Sequence, residues 1–375
     1  MTAPIASASG SRPVPGSPST TTTDSTSSPT RAGTGASAST IALVRSSRRR
    51  SLGRDAIVLA LLAVLLLALV AATLAVGDSL IPLGDVVRVL AGERVPGASF
   101  SVLEVRLPRA LGALLAGVAF GVSGAIFQTM LRNALASPDV IGINSGASAA
   151  AVLSIAFGAS GPSIAGAAFV GALVAALAIW LLAYRRGLSG LRFVLVGIAV
   201  GAVLQAVVAY ALTRAQVAQA QQAVVWMSGS LSRSLWDTVT PGLVVLAVLL
   251  PFTFLASRSL PVLRLGDDLA TTLGARPQRA MLALILVAVA LSAVATAVTG
   301  PIVFVAFLAC PIAVRLVRSH ALTLPASAIV GAIIVLAADL VGQHALGVAL
   351  PVGVVTGVVG APVLLWLLTT GRTRL

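Results

Sequence analysis

The chain contains no lysine; all 25 of its basic residues are arginine. That excludes a Walker-type phosphate loop, whose lysine reaches the nucleotide phosphates, and it excludes Schiff-base chemistry. Cysteine occurs once (Cys310) and histidine twice (His320 and His344), which leaves neither a disulfide framework nor a Cys/His zinc cluster. Charge is scarce too, at 10% of residues against about a quarter in a soluble domain. The expectation is a protein that is not an enzyme, with no catalytic residues, no cofactor and no metal site. If ATP drives it, another chain hydrolyses the ATP.

What is abundant is apolar: 58% of residues are hydrophobic and the mean hydropathy is +1.03. This composition predicts an integral membrane protein. The net charge of +14 does not point to nucleic acid, because the arginines lie between apolar runs and form no stripe interleaved with aromatics.

Residues 1–54 read as a tail rich in Ser, Thr and Pro, disordered over about the first forty positions and ending in a basic cluster (Arg45, Arg48, Arg49, Arg50, Arg54). The uncharged run that follows is longer than the ~7–15 residues of a signal-peptide core, so it reads as a first span rather than a cleaved leader. A span needs ~20 apolar residues. On that ruler residues 55–372 hold about ten transmembrane helices: 56–77, 108–131, 141–159, 164–184, 192–213, 239–257, 280–298, 302–317, 322–343 and 352–370. The expected fold class is all-α and polytopic. Nineteen of the 25 arginines fall on one side if the N-terminus is cytoplasmic, so both termini are expected in the cytoplasm.

The stretch from Arg106 to Gly146 stands out. Arg106 and Arg109 bracket Pro108 at the outer end of span two, which carries Gly112, Gly117, Gly121, Ser123 and Gly124. It ends in a polar elbow, Arg132-Asn133-Ala134-Leu135-Ala136-Ser137-Pro138. These small residues are spaced so that neighbouring helices can approach closely, and a glycine-lined span with a non-helical break suits a pathway better than a passive anchor. The two arginines either snorkel to head groups or receive an acidic partner, and their three-residue spacing on the less basic face favours the partner. Arg276-Pro-Gln-Arg279 at the inner start of span seven echoes Arg106-Leu-Pro-Arg109, which suggests an inverted repeat of spans 2–5 and 7–10.

The cytoplasmic loop 259–279 contains a short helical pattern. Leu265, Leu269 and Leu273 share one stripe, Asp267 and Asp268 occupy the first turn, and Gly274 closes it. An apolar ridge of this kind docks in a partner's groove or rests on lipid, and the acidic start favours the partner. Within the spans the costly polar groups are Gln128, Asn144, Gln205, Tyr210 and Asp339. Hydrogen bonds to neighbouring helices explain most such residues. Asp339, near a span end, is open to capping or packing as well as to a proton relay.

Together these stretches resemble the permease subunit of type II ABC importers, which take up ferric siderophores, haem and cobalamin. The resemblance rests on Arg106-Leu-Pro-Arg109, Ser123-Gly124 with Gln128, Arg132-Asn133-Ala134-Leu135-Ala136, and Gly142 with Gly146. It continues through Trp226-Met-Ser-Gly229-Ser230-Leu231, Leu265-Gly266 with Ala270, Leu273-Gly274, Gly300-Pro301-Ile302 with Phe304, and Leu350-Pro351-Val352-Gly353. By resemblance, two permeases form the pore, as a homo- or heterodimer in the lipid bilayer. An extracytoplasmic binding protein docks on Arg106 and Arg109, and two cytoplasmic ATPase subunits engage the 259–279 loop. The gate maps to Asn133 and Leu135 and to Ser189, Gly190 and Leu191, with Gln128 and Asn144 along the pathway.

Three departures separate the chain from the family pattern. Ala134 replaces the elbow proline, the span-eight histidine is absent from Pro311-Ile312-Ala313-Val314-Arg315, and Gln343-His344 stand where some members carry an arginine. With Ala338-Asp339, these bring it nearer the ferric-catecholate branch than the cobalamin importers. A proton-coupled secondary transporter is the competing class. A membrane scaffold is disfavoured, because glycine-lined spans with polar elbows serve no anchoring purpose.

Overall fold

The computed structural model describes residues 35–77, 79–184, 190–263, 267–272, 274–345 and 347–369. Among these there is no strand, and fourteen α-helices follow in order. They are α1 (Gly35–Ala75), α2 (Leu83–Leu90), α3 (Leu107–Leu131), α4 (Ile143–Ala156), α5 (Pro162–Ala183), α6 (Gly190–Arg214) and α7 (Val217–Met227). Then come α8 (Trp236–Ser257), α9 (Leu260–Leu263), α10 (Asp267–Thr272), α11 (Pro277–Thr299), α12 (Val305–Leu316), α13 (Thr323–His344) and α14 (Val352–Thr369). The chain divides into two units, Met1–Arg49 and Arg50–Leu375, and the second is the membrane body. Prolines stand in the first turn of α3, α5 and α11, where their missing N–H has no intrahelical partner to lose.

Seven helices among the described residues are long and apolar enough to cross a membrane, against about ten expected. At two of the other three positions the apolar runs fold as shorter helices, Ile143–Ala156 and Val305–Leu316, and at the third α14 is described over Val352–Thr369. At 1.5 Å per residue the 14 residues of α4 reach ~21 Å and the 12 of α12 ~18 Å, short of a ~30 Å hydrocarbon core. The missing length is non-helical backbone that is just as apolar, which hydropathy cannot distinguish from helix. Such backbone needs protein around it. Gly142, the αL residue before α4, has it: an added Cβ would lie 2.6 Å from the Gly197 carbonyl oxygen. Phe304 adopts the same left-handed conformation before α12. A long buried helix, a non-helical stretch with a left-handed residue and a short helix thus occur in that order twice.

Helix α3 is the axis of the fold, buried along most of its length and packed most extensively against α13, with α11 and α12 on its other sides. A methyl on Gly117 would strike the Ala332 backbone, one on Gly121 the Ser327 carbonyl, and one on Gly124 the Ala306 carbonyl. The glycines let helix backbones touch. Within the chain this face is filled by α12 and α13, the close approach that its spacing announces. Asp55 is fully buried near the start of the first span and accepts the Arg318 and Ser319 N–H groups at 3.0 and 2.9 Å, tying α1 to the turn before α13. By contrast α5, α6 and α8 expose rows of Leu, Val, Ile and Phe that only a non-aqueous surrounding tolerates. Long apolar helices, some buried within the protein and others bare on its outside, make this a multi-pass membrane protein.

Candidate functional site

Residues singled out from the sequence gather at two ends of the body. At the expected outer end a π-helical turn, Ser101–Arg106, leads into α3 and turns Arg106 inward. Its guanidinium, 7% exposed, donates to the Leu74 and Ala75 carbonyls at 2.9 Å each and to the Ser79 carbonyl at 2.7 Å. A cation on the last carbonyls of a helix satisfies groups that the helix itself cannot. Arg106 is thus a brace for the end of α1 and not the outward-facing charge expected from the sequence.

Arg109 grips Asp339 of α13 with both arms, Nε to Oδ2 at 2.9 Å and Nη2 to Oδ1 at 2.8 Å. Gln343 donates to the same carboxylate at 2.7 Å. The Asp339 side chain is 1% exposed and that of Arg109 20%, so this second expected docking charge is largely enclosed as well. The open question about Asp339 is answered by packing: it is the counter-ion of Arg109. Both arginines border a cavity of about 860 Å³, lined also by Trp226, Arg233, Gln343 and Leu350. Beside it three distant motifs meet. Ser230 N–H donates to the Thr299 carbonyl at 2.8 Å and Gly353 N–H to the Gly229 carbonyl at 3.0 Å.

Between the two ends lies a polar core. Asn144 donates its amide to Asp139 and accepts from the Ser292 and Thr296 hydroxyls of α11, each at 3.1 Å. Gln128 donates to the Ala306 and Phe307 carbonyls at 3.3 and 3.1 Å. Both were expected on the pathway; the structure buries both between helices. One oxygen of Asp139 and the Gln128 carbonyl oxygen are buried without a partner among the described residues. The sequence reading passed over Asp139, which follows Pro138 and looked like ordinary loop.

The third group sits at the expected inner end. Helix α3 stops at Arg132, whose left-handed backbone (φ 49°, ψ 37°) closes the last turn. Asn133 Oδ1 then accepts the Leu135 N–H at 2.9 Å, an Asx turn that holds Leu135 41% exposed. Gly190 opens α6 beside Leu131, where an added Cβ would lie 2.7 Å from Leu131 Cδ2, and Leu191 is exposed. The described residues expected at the gate therefore share one end; Ser189 lies outside the described residues. Helix α10 forms in the 259–279 loop with Ala270 buried, Leu269 57% exposed and Gly274 left-handed after it. Leu265, Gly266 and Leu273 lie outside the described residues, as do the side chains of Asp267 and Asp268.

The family model of the FecCD transport family matches residues 64–370. The chain belongs to that family. Its FecCD relatives include the ferric enterobactin transport system permease protein FepG of Escherichia coli (strain K12), 42% identical over 74% of this chain and 85% of that protein. The achromobactin transport system permease protein CbrC of Dickeya dadantii (strain 3937) is 39% identical over 82% of this chain and 90% of its own length. A solved metal-chelate type ABC transporter in an inward-facing conformation shares the fold, with a TM-score of 0.75 and 24% identity over 84% of this chain and 99% of that one. FecCD membership makes this an iron-chelate ABC importer permease by family, and its relatives are transport permeases rather than enzymes.

Proposed function

We propose that this chain is the membrane subunit of an ATP-driven importer that carries a ferric siderophore of the catecholate type into the bacterial cytoplasm. Membership of the FecCD family carries the reading, and the 42% identity to an enterobactin permease favours the catecholate. Two permease copies, identical or not, enclose the route across the cytoplasmic membrane. A binding protein delivers the chelate at the Arg106 end, where Arg109 and Arg233 border the cavity. Two ATPase subunits hold the loop around α10, whose exposed Leu269 gives them an apolar contact. Asn133, Leu135, Gly190 and Leu191, with Ser189 between spans, close the inner mouth. A proton-coupled carrier has less support: Asp339, the acid that suited it, is bound to Arg109 and Gln343.

The test is reconstitution of the permease with its ATPase and binding protein in proteoliposomes, offered ferric enterobactin, haem and cobalamin separately. ATP-dependent accumulation of ferric enterobactin above the other two is the expected outcome. Accumulation driven by a proton gradient without ATP overturns the importer reading. Preference for haem or cobalamin overturns the choice of cargo.

A further inference from the structure

We propose that Arg132 is the positioning residue through which the coupling loop moves the inner gate. The proposal rests on the reading of function above and adds the link between its two moving parts. Arg132 Nη2 donates to the Leu263 carbonyl at 2.6 Å, joining the first residue of the elbow to the last residue of α9. Leu263 belongs to the 259–279 segment that the ATPase is proposed to hold, and α10 follows within it.

The two ends of the elbow are fastened differently. Its far end is fixed: Ala136, Ser137 and Pro138 are buried, Gly142 lies against Gly197 and Gly201 of α6, and Asp139 is clasped to Asn144, itself held by Ser292 and Thr296. The near end leans on the end of α3 and on Leu263. Between them, Asn133 and Leu135 are exposed, and the Asx turn makes them one small rigid piece. The Asn133 carbonyl also accepts the Ala136 N–H at 3.0 Å, which carries that piece to the fixed end. A displacement of Leu263 therefore pulls Arg132 and swings Leu135 about Ala136. A guanidinium suits the task because its planar fork reaches a carbonyl in a defined direction.

The rival account is that Arg132 merely caps α3. Glycine separates the two, because it is the preferred residue in a left-handed cap and has no side chain to reach Leu263. The experiment uses the whole permease–ATPase–binding-protein complex in proteoliposomes, with ferric enterobactin as the probe, and reads uptake per ATP hydrolysed. Arg132→Gly should assemble normally and hydrolyse ATP, while uptake per ATP falls about tenfold, the factor one hydrogen bond to a charged group supplies. Arg132→Lys keeps a donor and should retain most of the coupling. With Leu135→Cys in place, thiol labelling from the cytoplasmic side should change with nucleotide state in the parent and stop changing in Arg132→Gly.

Uptake per ATP at the parent level in Arg132→Gly overturns the proposal. So does loss of ATPase assembly, which would make Arg132 part of the docking surface or the fold. If the parent complex itself shows no ATP-driven uptake, the functional reading fails first and the tether falls with it.

Discussion

Helices α3 and α6 are each 25 residues long, apolar and dotted with glycine, yet they live in different surroundings. The α3 side chains are buried through most of the helix, while α6 exposes Leu191, Leu195, Ile198, Val203 and Tyr210. Hydropathy does not separate them. What does is how many sides of the helix the few polar and small residues commit. On α3, Arg109 pairs with Asp339, Ser123 donates to the Ala288 carbonyl at 2.7 Å, Gln128 donates to α12, and three glycines touch the backbones of α12 and α13. On α6, Gln205 reaches Ser145 only at 3.4 Å and is otherwise exposed. Polar and small residues committed to α11, α12 and α13 make α3 a beam, whereas α6 sets Gly197 and Gly201 against the 141–142 stretch and keeps a bare apolar face elsewhere.

The largest effect expected from breaking this contrast is at the Arg109–Asp339 pair. Removing one partner of a buried ion pair leaves the other charge uncompensated and costs ~3–5 kcal/mol. Asp339→Ala or Arg109→Ala should therefore lower the detergent melting temperature sharply. The double change to an apolar pair, Arg109→Leu with Asp339→Leu, should recover much of the loss. If the single changes are silent, α3 is not anchored to α13 at this end and the 2.8 Å contact is idle.

Next comes the glycine seam. Gly117→Ala forces a methyl onto the Ala332 backbone and should destabilise by ~1–3 kcal/mol, since no side chain there can rotate away. Gly166 in α5 is the matched control, with open space around its missing Cβ. Gly166→Ala should be neutral or stabilising by up to ~1 kcal/mol through helix propensity. Equal effects at the two positions would show that glycine on these spans is a matter of composition rather than contact.

Much of this architecture was legible in the sequence, for reasons visible in particular residues. The long apolar runs from Ala56, Pro108 and Ala280 became helices because length and lack of charge leave few alternatives in a bilayer. The elbow at Arg132–Pro138 and the break at Gly300–Phe304 were marked by Gly, Pro and Asn, whose backbone preferences are local. What escaped is non-local. Arg109 finds Asp339 across 230 residues, and Arg106 finds the end of α1 across about thirty. Arg106 looks like a free charge because the carbonyls it caps have no signature in sequence, and although Asp339 stands out as a costly acid, nothing local pairs it with Arg109. The glycine spacing of α3 announces the close approach of neighbouring helices, but which helices make it, α12 and α13, is again non-local. Arg132 is legible only as the start of the elbow and Asp139 not at all, and their partners, Leu263 and Asn144, show what they hold.

The smallest expected effect sharpens the other side of the comparison. Gln205 sits in the middle of α6 with its amide exposed and one long contact to Ser145, so within a single chain it stabilises little. Facing lipid, a glutamine is a liability, and Gln205→Leu should be neutral or slightly stabilising, inside the ±0.5 kcal/mol usual for exposed positions. Facing a second permease, the same amide would be buried by the partner and hydrogen-bonded across the interface, where intramembrane bonds average ~0.6 kcal/mol and reach ~1.7. The two surroundings thus predict different behaviour from one substitution. Thermal melting of the parent and Gln205→Leu proteins, each measured as dissociated permease and as assembled complex, separates them. No change in either form means that this face of α6 looks onto lipid. A loss confined to the assembled complex places Gln205 at the permease–permease contact. A loss in the dissociated chain would contradict the exposed environment of α6 and with it the division between beam and face.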